Sequence, residues 1–345
     1  MPKTKHILII RLSAMGDVAM TVPVLRAFSI QNPEVKITVV SRPFYKPFFD
    51  TIPNITFFGV DLKKRHKGFI GLLRLFSDLK KYEITHVADL HNVLRSKVVR
   101  NFFVINGKKV AATDKGRVEK KALTRAENKI FEPTKSMFER HVNTFNKLGF
   151  QIDLSHPNFP EKAVLSTTIL SKIGEVSEMK LIGIAPFAQY DSKVYPLDLM
   201  QNVIDELAKY PNQKILLFGG GEMEIQKLNQ LQNNHHNVVV VAGNIYFQEE
   251  LELISNLDVM LSMDSGNAHI AAMLGVKVIT LWGATHPFAG FKPFNQPMEN
   301  CLVSDRSKYP LLPTSVYGNK IVPGYKDVMR TILPEEIVKK INSNL

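Results

Sequence analysis

Cysteine is almost missing from this chain: Cys301 is the only one among 345 residues. A lone cysteine excludes an internal disulfide and a cysteine-rich metal site, and it suits a reducing compartment. No apolar run approaches the roughly 20 residues that a membrane-spanning helix needs. The opening MPKTKH leads directly into a strand-like run without the apolar core or small-residue cleavage site of a secretory signal, so a cytoplasmic protein is expected. Asp-x-Asp pairs spaced to hold a divalent cation are absent. No zinc-finger spacing, KH loop or aromatic RNP strand is present, which argues against a nucleic-acid partner.

What remains is the composition of a globular protein, 45% hydrophobic and 22% charged, long enough for two domains that each bury a core. Lys and Arg outnumber Asp and Glu by 44 to 32, a net charge of +12 that favours anionic partners such as phosphorylated small molecules or an anionic membrane face. Short β-branched runs alternate with amphipathic stretches. The spacing predicts strands at His6–Ile10, Lys36–Ser41, Ile55–Val60, His86–Leu90 and Lys109–Ala112, with helices at Val18–Gln31, Phe44–Thr51, Gly68–Lys80 and Val93–Phe103. A longer helix is expected over Thr134–Leu148. Pro157 and Pro160 then interrupt Gln151–Glu161, where the interdomain hinge is placed. From Leu181 the alternation resumes through strands at Leu181–Ala185, Lys214–Phe218, Val238–Ala242, Val259–Met263 and Lys277–Leu281. The fold class expected is α/β: two doubly wound parallel sheets facing across a cleft, with ligands beyond the carboxyl ends of the strands.

Four segments follow strands and carry groups able to do chemistry. In ILIIRLSAMGDVAMTVPVLRAF, Gly16-Asp17 enters a helix, where an acid suits either capping or chemistry. APFAQYDSKVYP brings Lys193 into a polar loop. In LLFGGGEMEIQKL, Gly220 and Gly221 allow close backbone approach and Glu222 or Glu224 can accept from ribose hydroxyls, yet the segment is neither a G-x-G-x-x-G fingerprint nor a Walker A loop. DVMLSMDSGNAHIAAMLGVKVITLWG delivers Asp264, Ser265 and Gly266 to the start of a small-residue helix, a natural phosphate site, with His269 in its first turns.

Taken together, RLSAMGDVAMTVPVLRAF, DSKVYP, FGGGEMEI and SMDSGNAHIAAMLGVKVITLWGATHP resemble glycosyltransferase family 9, the bacterial heptosyltransferases of lipopolysaccharide core assembly. The resemblance implies a GT-B fold of two Rossmann-like domains: residues 1–160 binding the acceptor, 161–330 binding a nucleotide sugar, and a closing helix over 331–345. It implies inverting, metal-independent transfer of a heptose or similar sugar from an ADP-activated donor, with no cofactor beyond that donor and an anionic glycolipid acceptor. Asp17 matches the family's catalytic acid, which takes the proton of the attacking hydroxyl, and Lys193 matches its phosphate-contacting lysine. Gly220, Gly221, Glu222 (with Glu224 as the alternative), Asp264, Ser265, Gly266 and His269 fall on the donor side. Arg42, Asp89, His91 and Arg95 are expected to line the acceptor side. The aromatic run FYKPFF at Phe44–Phe49 is a candidate for peripheral contact with the inner membrane face. A nucleotide-sugar epimerase or hydrolase, or a non-catalytic nucleotide-sugar-binding protein, are the alternative functions on the same scaffold.

Overall fold

The run ILII after His6 is apolar at every position, a pattern that suits a strand covered on both faces. In the computed structural model, which describes residues 5–320 and 322–345, it forms β1 (His6–Ile10), fully buried at the centre of a parallel sheet. Its neighbours are β2 (Lys36–Ser41), β3 (Ile55–Gly59), β4 (His86–Asp89) and β5 (Lys109–Ala112), in the order β3-β2-β1-β4-β5. The helices of this unit are α1 (Met15–Ala19), α2 (Val22–Gln31), α3 (Gly68–Lys80), α4 (Leu94–Ile105) and α6 (Met137–Asn146); α5 (Arg117–Thr124) belongs elsewhere, as described below. One core cluster joins Leu8, Ile10 and Val87 to Leu75 and Leu79 of α3 and to Val99 and Phe103 of α4.

Three expectations in this half are corrected. The helix predicted over Val18–Gln31 is two, because Pro23 stands in the first turn of α2, where it cannot continue a helical ladder from α1. The aromatic run after Arg42 is a 3-10 helix over Pro43–Phe48 that buries Tyr45, Phe48 and Phe49 and leaves Phe44 exposed, so most of it is core. The long helix starts at Met137 rather than Thr134. Ser136 and Glu139 form a capping box there: the Glu139 amide donates to Ser136 Oγ at 3.1 Å and the Ser136 amide to Glu139 Oε2 at 2.7 Å.

The second sheet holds β6 (Lys180–Ala185), β7 (Gln213–Leu217), β8 (Val238–Val240), β9 (Val259–Met263), β10 (Lys277–Trp282) and β11 (Cys301–Val303), in the order β11-β10-β9-β6-β7-β8, again all parallel. Its helices are α7 (Thr167–Ile173), α8 (Leu197–Ala208), α9 (Glu222–Gln232), α10 (Phe247–Ser255), α11 (Gly266–Met273) and α12 (Pro334–Asn342). Helices α5 and α7 and strand β11 escape the periodicity reading, being short and, for α5, strongly charged.

The division into units differs from the boundary at residue 160. The first unit ends at Lys115 and resumes over Lys135–Asn158, while Gly116–Thr134 and Phe159–Leu345 make the second. The intervening segment is fixed to the second unit by contacts distant in sequence. The Lys120 ammonium lies over the Phe291 ring at 3.9 Å, the Arg306 guanidinium over Phe131 at 3.4 Å, and Lys129 Nζ donates to the Pro313 carbonyl at 2.8 Å. The closing segment 331–345 also belongs to the second unit, where α12 packs against α8 and places Ile337 and Ile341 in the core. The crossing at Asn158/Phe159 lies within the expected hinge. Gly275 shows why Phe159 belongs to the second unit: a Cβ there would stand 2.9 Å from the Phe159 ring.

In the first unit Phe145 of α6 is fully buried, its ring centroid 4.7 Å from that of Phe28 on α2. Phe145→Ala is expected to destabilise this unit by about 3–5 kcal/mol, read as a lower midpoint in urea unfolding followed by far-UV circular dichroism.

Candidate active site

In an open parallel sheet, ligands bind where the strand order reverses, beyond the carboxyl ends of the strands. In the first unit the reversal lies between β1 and β4, and two loops meet there. The first leaves β1 through Arg11, whose side chain is only 6% exposed. A buried guanidinium needs partners for its donors. Arg11 Nη1 donates to the Leu90 carbonyl after β4 at 2.6 Å, and Nη2 pairs with Asp17 Oδ2 at 2.5 Å. Asp17 is not the N-cap of α1. Ala14 holds that position, and Asp17 lies three residues on, accepting from the Ala14 amide at 3.3 Å. The acid is thus clamped between the turn that starts its helix and a buried arginine, with its side chain 36% exposed.

Asp89 and His91 sit in the loop after β4, and Asp89 is not an acceptor-facing group. Asp89 is fully buried and its carboxylate is engaged on both oxygens: Oδ1 accepts from the amides of His91 and Asn92 at 3.1 and 2.7 Å, and Oδ2 from Arg100 Nη1 at 3.0 Å. It shapes the loop, in which Asn92 takes a left-handed conformation with φ 47°. The expectation that Asp89 touches an acceptor is therefore corrected. His91 is also buried, and burial lowers its pKa to about 3, aided by the charges of Arg11, Lys115 and Arg42 and opposed by Asp17. Its Nδ1 has no hydrogen-bond partner among the described residues. Arg42, at the start of the 3-10 helix, is exposed, and Arg95 is exposed in the first turn of α4.

Tyr45 joins Asp17, Arg42 and His91 at this sheet edge: burial raises its phenol pKa, against the pull of Arg42 and with the push of the Asp17 carboxylate. Sequence reasoning missed Arg11 and Tyr45. The signal for Arg11 was available, since a cation that ends a wholly apolar strand is placed where burial demands an anion. Tyr45 was submerged in an aromatic run.

In the second unit the reversal lies between β6 and β9. Lys193, in a short 3-10 helix over Asp191–Lys193, reaches to the end of β9, where Nζ donates to the Asp264 carbonyl at 2.5 Å and lies 3.4 Å from Asp264 Oδ2. Thr285, after β10, donates its hydroxyl to the same Oδ2 at 2.9 Å. Asp264 thus orients a lysine and ties three strand ends together. Glycines allow the close packing: a Cβ on Gly318, whose φ is +86°, would stand 2.7 Å from Lys193 Cγ, and one on Gly283 would stand 2.4 Å from the Ser192 carbonyl oxygen.

Ser265 is the N-cap of α11, its Oγ 3.1 Å from Ser262 Oγ. The first amides of α11, starting at Gly266, have no partner within the helix and carry its positive dipole end. His269, in the second half of the first turn, is buried. The glycine turn after β7 separates the two acids left open by the sequence. Glu224 closes the turn by accepting from the Gly220 amide at 2.8 Å, whereas Glu222, the first residue of α9 after Gly221, is exposed. Among the described residues no group of three or more His, Cys, Asp or Glu side chains is arranged to hold a metal ion, and no helix is long and apolar enough to cross a membrane.

Two outcomes follow from this geometry. Gly318→Ala is expected to cost about 1–3 kcal/mol through forced left-handed backbone and displacement of the lysine stem, seen as a lowered Tm. The depressed His91 pKa predicts stability that is complete above its ordinary value of 6.5 and is lost as pH falls toward about 3, because the unfolded chain binds the proton that the native state refuses. His286 adds to this with a pKa lowered by burial to about 4. The unfolding free energy of His91→Gln is expected to fall less steeply between pH 6.5 and 4 than that of the wild type.

Comparison with known proteins bears on these two sheet edges. The model of the family described as Glycosyltransferase family 9 (heptosyltransferase) matches residues 72–319. A lipopolysaccharide core heptosyltransferase, OpsX, of Haemophilus influenzae is 24% identical over 290 residues, covering 82% of this chain and 80% of that protein. Among solved structures, a family 9 glycosyltransferase from Veillonella parvula superposes with a TM-score of 0.76 at 19% identity, covering 99% of this chain and 97% of the other. The heptosyltransferase WaaC of E. coli, solved with ADP, gives 0.69 at 16% identity over 99% of this chain and 100% of its own. The fold is GT-B, and the family match spans well over half of the sequence, from α3 through the loops that carry Lys193, Asp264 and Gly318. The chain belongs to glycosyltransferase family 9, the heptosyltransferases, and is a glycosyltransferase.

Proposed function

We propose that this enzyme transfers a heptose, or a closely similar sugar, from an ADP-activated donor to the lipopolysaccharide core or a lipid A-type acceptor, with inversion at the anomeric carbon. The observation that carries the mechanism is the clamping of Asp17 by Arg11 at the switch point of the first sheet. A carboxylate with fixed orientation and partial exposure suits a general base. In the proposed step the acceptor hydroxyl oxygen forms a bond to the anomeric carbon while the bond from that carbon to the diphosphate oxygen breaks. The hydroxyl proton passes to Asp17, and ADP departs with the bonding electrons. The transition state carries oxocarbenium character and growing negative charge on the diphosphate.

The second unit supplies the groups that answer that charge. Lys193 is held at its sheet edge by Asp264, and the amides beginning at Ser265 and Gly266 open α11. Positive charge from the chain itself supports transfer without a metal. Glu222 is proposed for the donor ribose, because Glu224 is committed to the Gly220 amide. Gly220 and Gly221 keep the backbone beside it open, with no atom within 4 Å of a Cβ built at either position. His269 is assigned to the diphosphate side from its place near the start of α11. On the acceptor side Arg42 is exposed and suits acceptor phosphates, and exposed Arg95 is a second such cation, while Asp89 shapes the loop. The net charge of +12 supports an anionic glycolipid as acceptor, met by a cytoplasmic protein in peripheral contact with the inner membrane face.

Asp17→Asn preserves size and a hydrogen-bond acceptor for Arg11, and is expected to lower kcat by about 10²–10⁴-fold with little change in ADP affinity. Turnover of ADP-heptose on truncated lipid A-core acceptors measures the first and isothermal titration the second; unchanged turnover removes Asp17 as base. Lys193→Met is expected to weaken ADP binding. A thermal-shift screen across ADP-, UDP-, GDP- and CMP-sugars is expected to stabilise the protein with ADP compounds, and a response confined to UDP compounds overturns the donor assignment.

A further inference from the structure

Away from the two sheet edges, α3 and α4 carry an apolar surface that nothing in the proposed chemistry uses. Phe69, Ile70 and Leu73 on α3 are 62, 65 and 41% exposed, and Ile105 at the end of α4 is 80% exposed. The two helices pack together, and Phe102 of α4 bridges them, its ring centroid 6.2 Å from Phe69 and 5.5 Å from Phe76. Ile105 lies one turn beyond Phe102 on the same side of α4, which continues the surface. Isolated exposed apolar residues are ordinary, but a contiguous patch on two adjacent helices marks an interaction site.

The charge on the segments around the patch has one sign, although Arg100 among them is paired with buried Asp89. Leu62–Ser77 and Leu90–Thr113 each contain five Lys or Arg residues and no acid: Lys63, Lys64, Arg65, Lys67 and Arg74 in the first, Arg95, Lys97, Arg100, Lys108 and Lys109 in the second. The two nearest acids before and within α3 are engaged. Asp61 accepts from the amides of Lys63 and Lys64 at 3.1 and 2.9 Å, and Asp78 binds Arg65 in bidentate fashion at 2.8 and 2.9 Å. The same cationic loop is pressed onto the start of α3, where Gly71 has no room for a Cβ, which would stand 2.3 Å from the His66 carbonyl carbon. Lys63, Lys64 and Lys67 remain exposed beside the patch.

We propose that this face of α3 and α4 docks on an anionic phospholipid bilayer, with Phe69, Ile70 and Ile105 entering the headgroup boundary and the lysines lying against lipid phosphates. Apolar insertion joined to basic residues is the combination that holds a protein at an anionic interface. A second copy of the chain is disfavoured as occupant, because pairing this face with itself brings like charges together. The proposal deepens the assignment of a lipid-borne acceptor and rests on it for the choice of a bilayer. Its test reads vesicle binding alone, without donor, acceptor or sugar transfer.

Co-sedimentation of the full chain with phosphatidylglycerol-containing vesicles is expected, weakening as salt rises, with little binding to pure phosphatidylcholine. Phe69→Ser combined with Ile70→Ser, and separately Lys63→Glu combined with Lys64→Glu, are each expected to weaken binding by about tenfold or more, with Tm and ADP affinity unchanged. The exposed positions make both variants compatible with folding, and each pair tests the surface without the other. Failure of the wild type to bind anionic vesicles, equal binding to both lipid compositions, or wild-type binding by both variants overturns the proposal. So does a wild-type dimer that the Phe69/Ile70 variant converts to monomer while neither form binds vesicles. Loss of sugar transfer with vesicle binding intact counts against the proposed reaction and not against this surface.

Discussion

A guanidinium buried at the end of the first sheet's central strand has to be answered, and the way Arg11 is answered organises the first unit's site. One nitrogen takes the carbonyl of Leu90 and so ties the loop after β4 to the loop after β1; another takes the carboxylate of Asp17. Removing the Asp17 carboxylate would leave the buried Arg11 charge without its counter-ion, the costly case for buried ion pairs. The orientation of Asp17 is therefore set by this buried cation together with the Ala14 amide at the start of α1. The loop after β4 is held from its other side by Asp89, which receives two amides and Arg100 and takes no further part.

The second unit reaches a comparable result with the charges exchanged. There the cation, Lys193, and the acid that orients it, Asp264, are both largely buried at the sheet edge, with Thr285 donating to the same carboxylate oxygen. In each unit a charged group is fixed by an opposite charge at the point where the strand order reverses, with Asp17 partly exposed over buried Arg11 and Lys193 and Asp264 both largely buried. Pre-oriented charge of this kind favours catalysis because no reorganisation is needed as charge develops in the transition state. Glycine serves the same end: Gly318 and Gly283 bring backbone against Ser192 and the Lys193 stem where any side chain would collide.

Much of this could be read from the residues. Buried parallel strands are nearly continuous apolar runs, so β1, β2 and β9 were predicted to their end residues, as was the more exposed edge strand β5, and the motif order pointed to the family. The losses have physical causes. Gly116–Thr134 follows the first sheet in sequence, yet cation–π and backbone contacts to residues 160 and more positions away hold it to the second unit, and no local pattern encodes them. The choice between Glu222 and Glu224 was open because both suit a helix start; that Glu224 is committed to the Gly220 amide depends on the folded turn and is not legible in the local sequence. Asp89 stood at a strand end, where ligand-contacting residues gather, and only its burial and its bonds to two amides and Arg100 moved it from contact to support.

The sequence by itself determined most of the strands and the membership of Asp17, Lys193 and Asp264 in a glycosyltransferase pattern, because periodicity and post-strand motifs are local properties of the chain, whereas the strand order that makes the two switch points came only with the tertiary structure. The tertiary structure alone decided which groups those charges are paired with and how far each is buried. Burial, ion pairing and the space at a glycine depend on atoms brought together from distant strands, as Arg11 with Asp17 and Leu90, or Lys193 with Asp264 and Gly318, make plain.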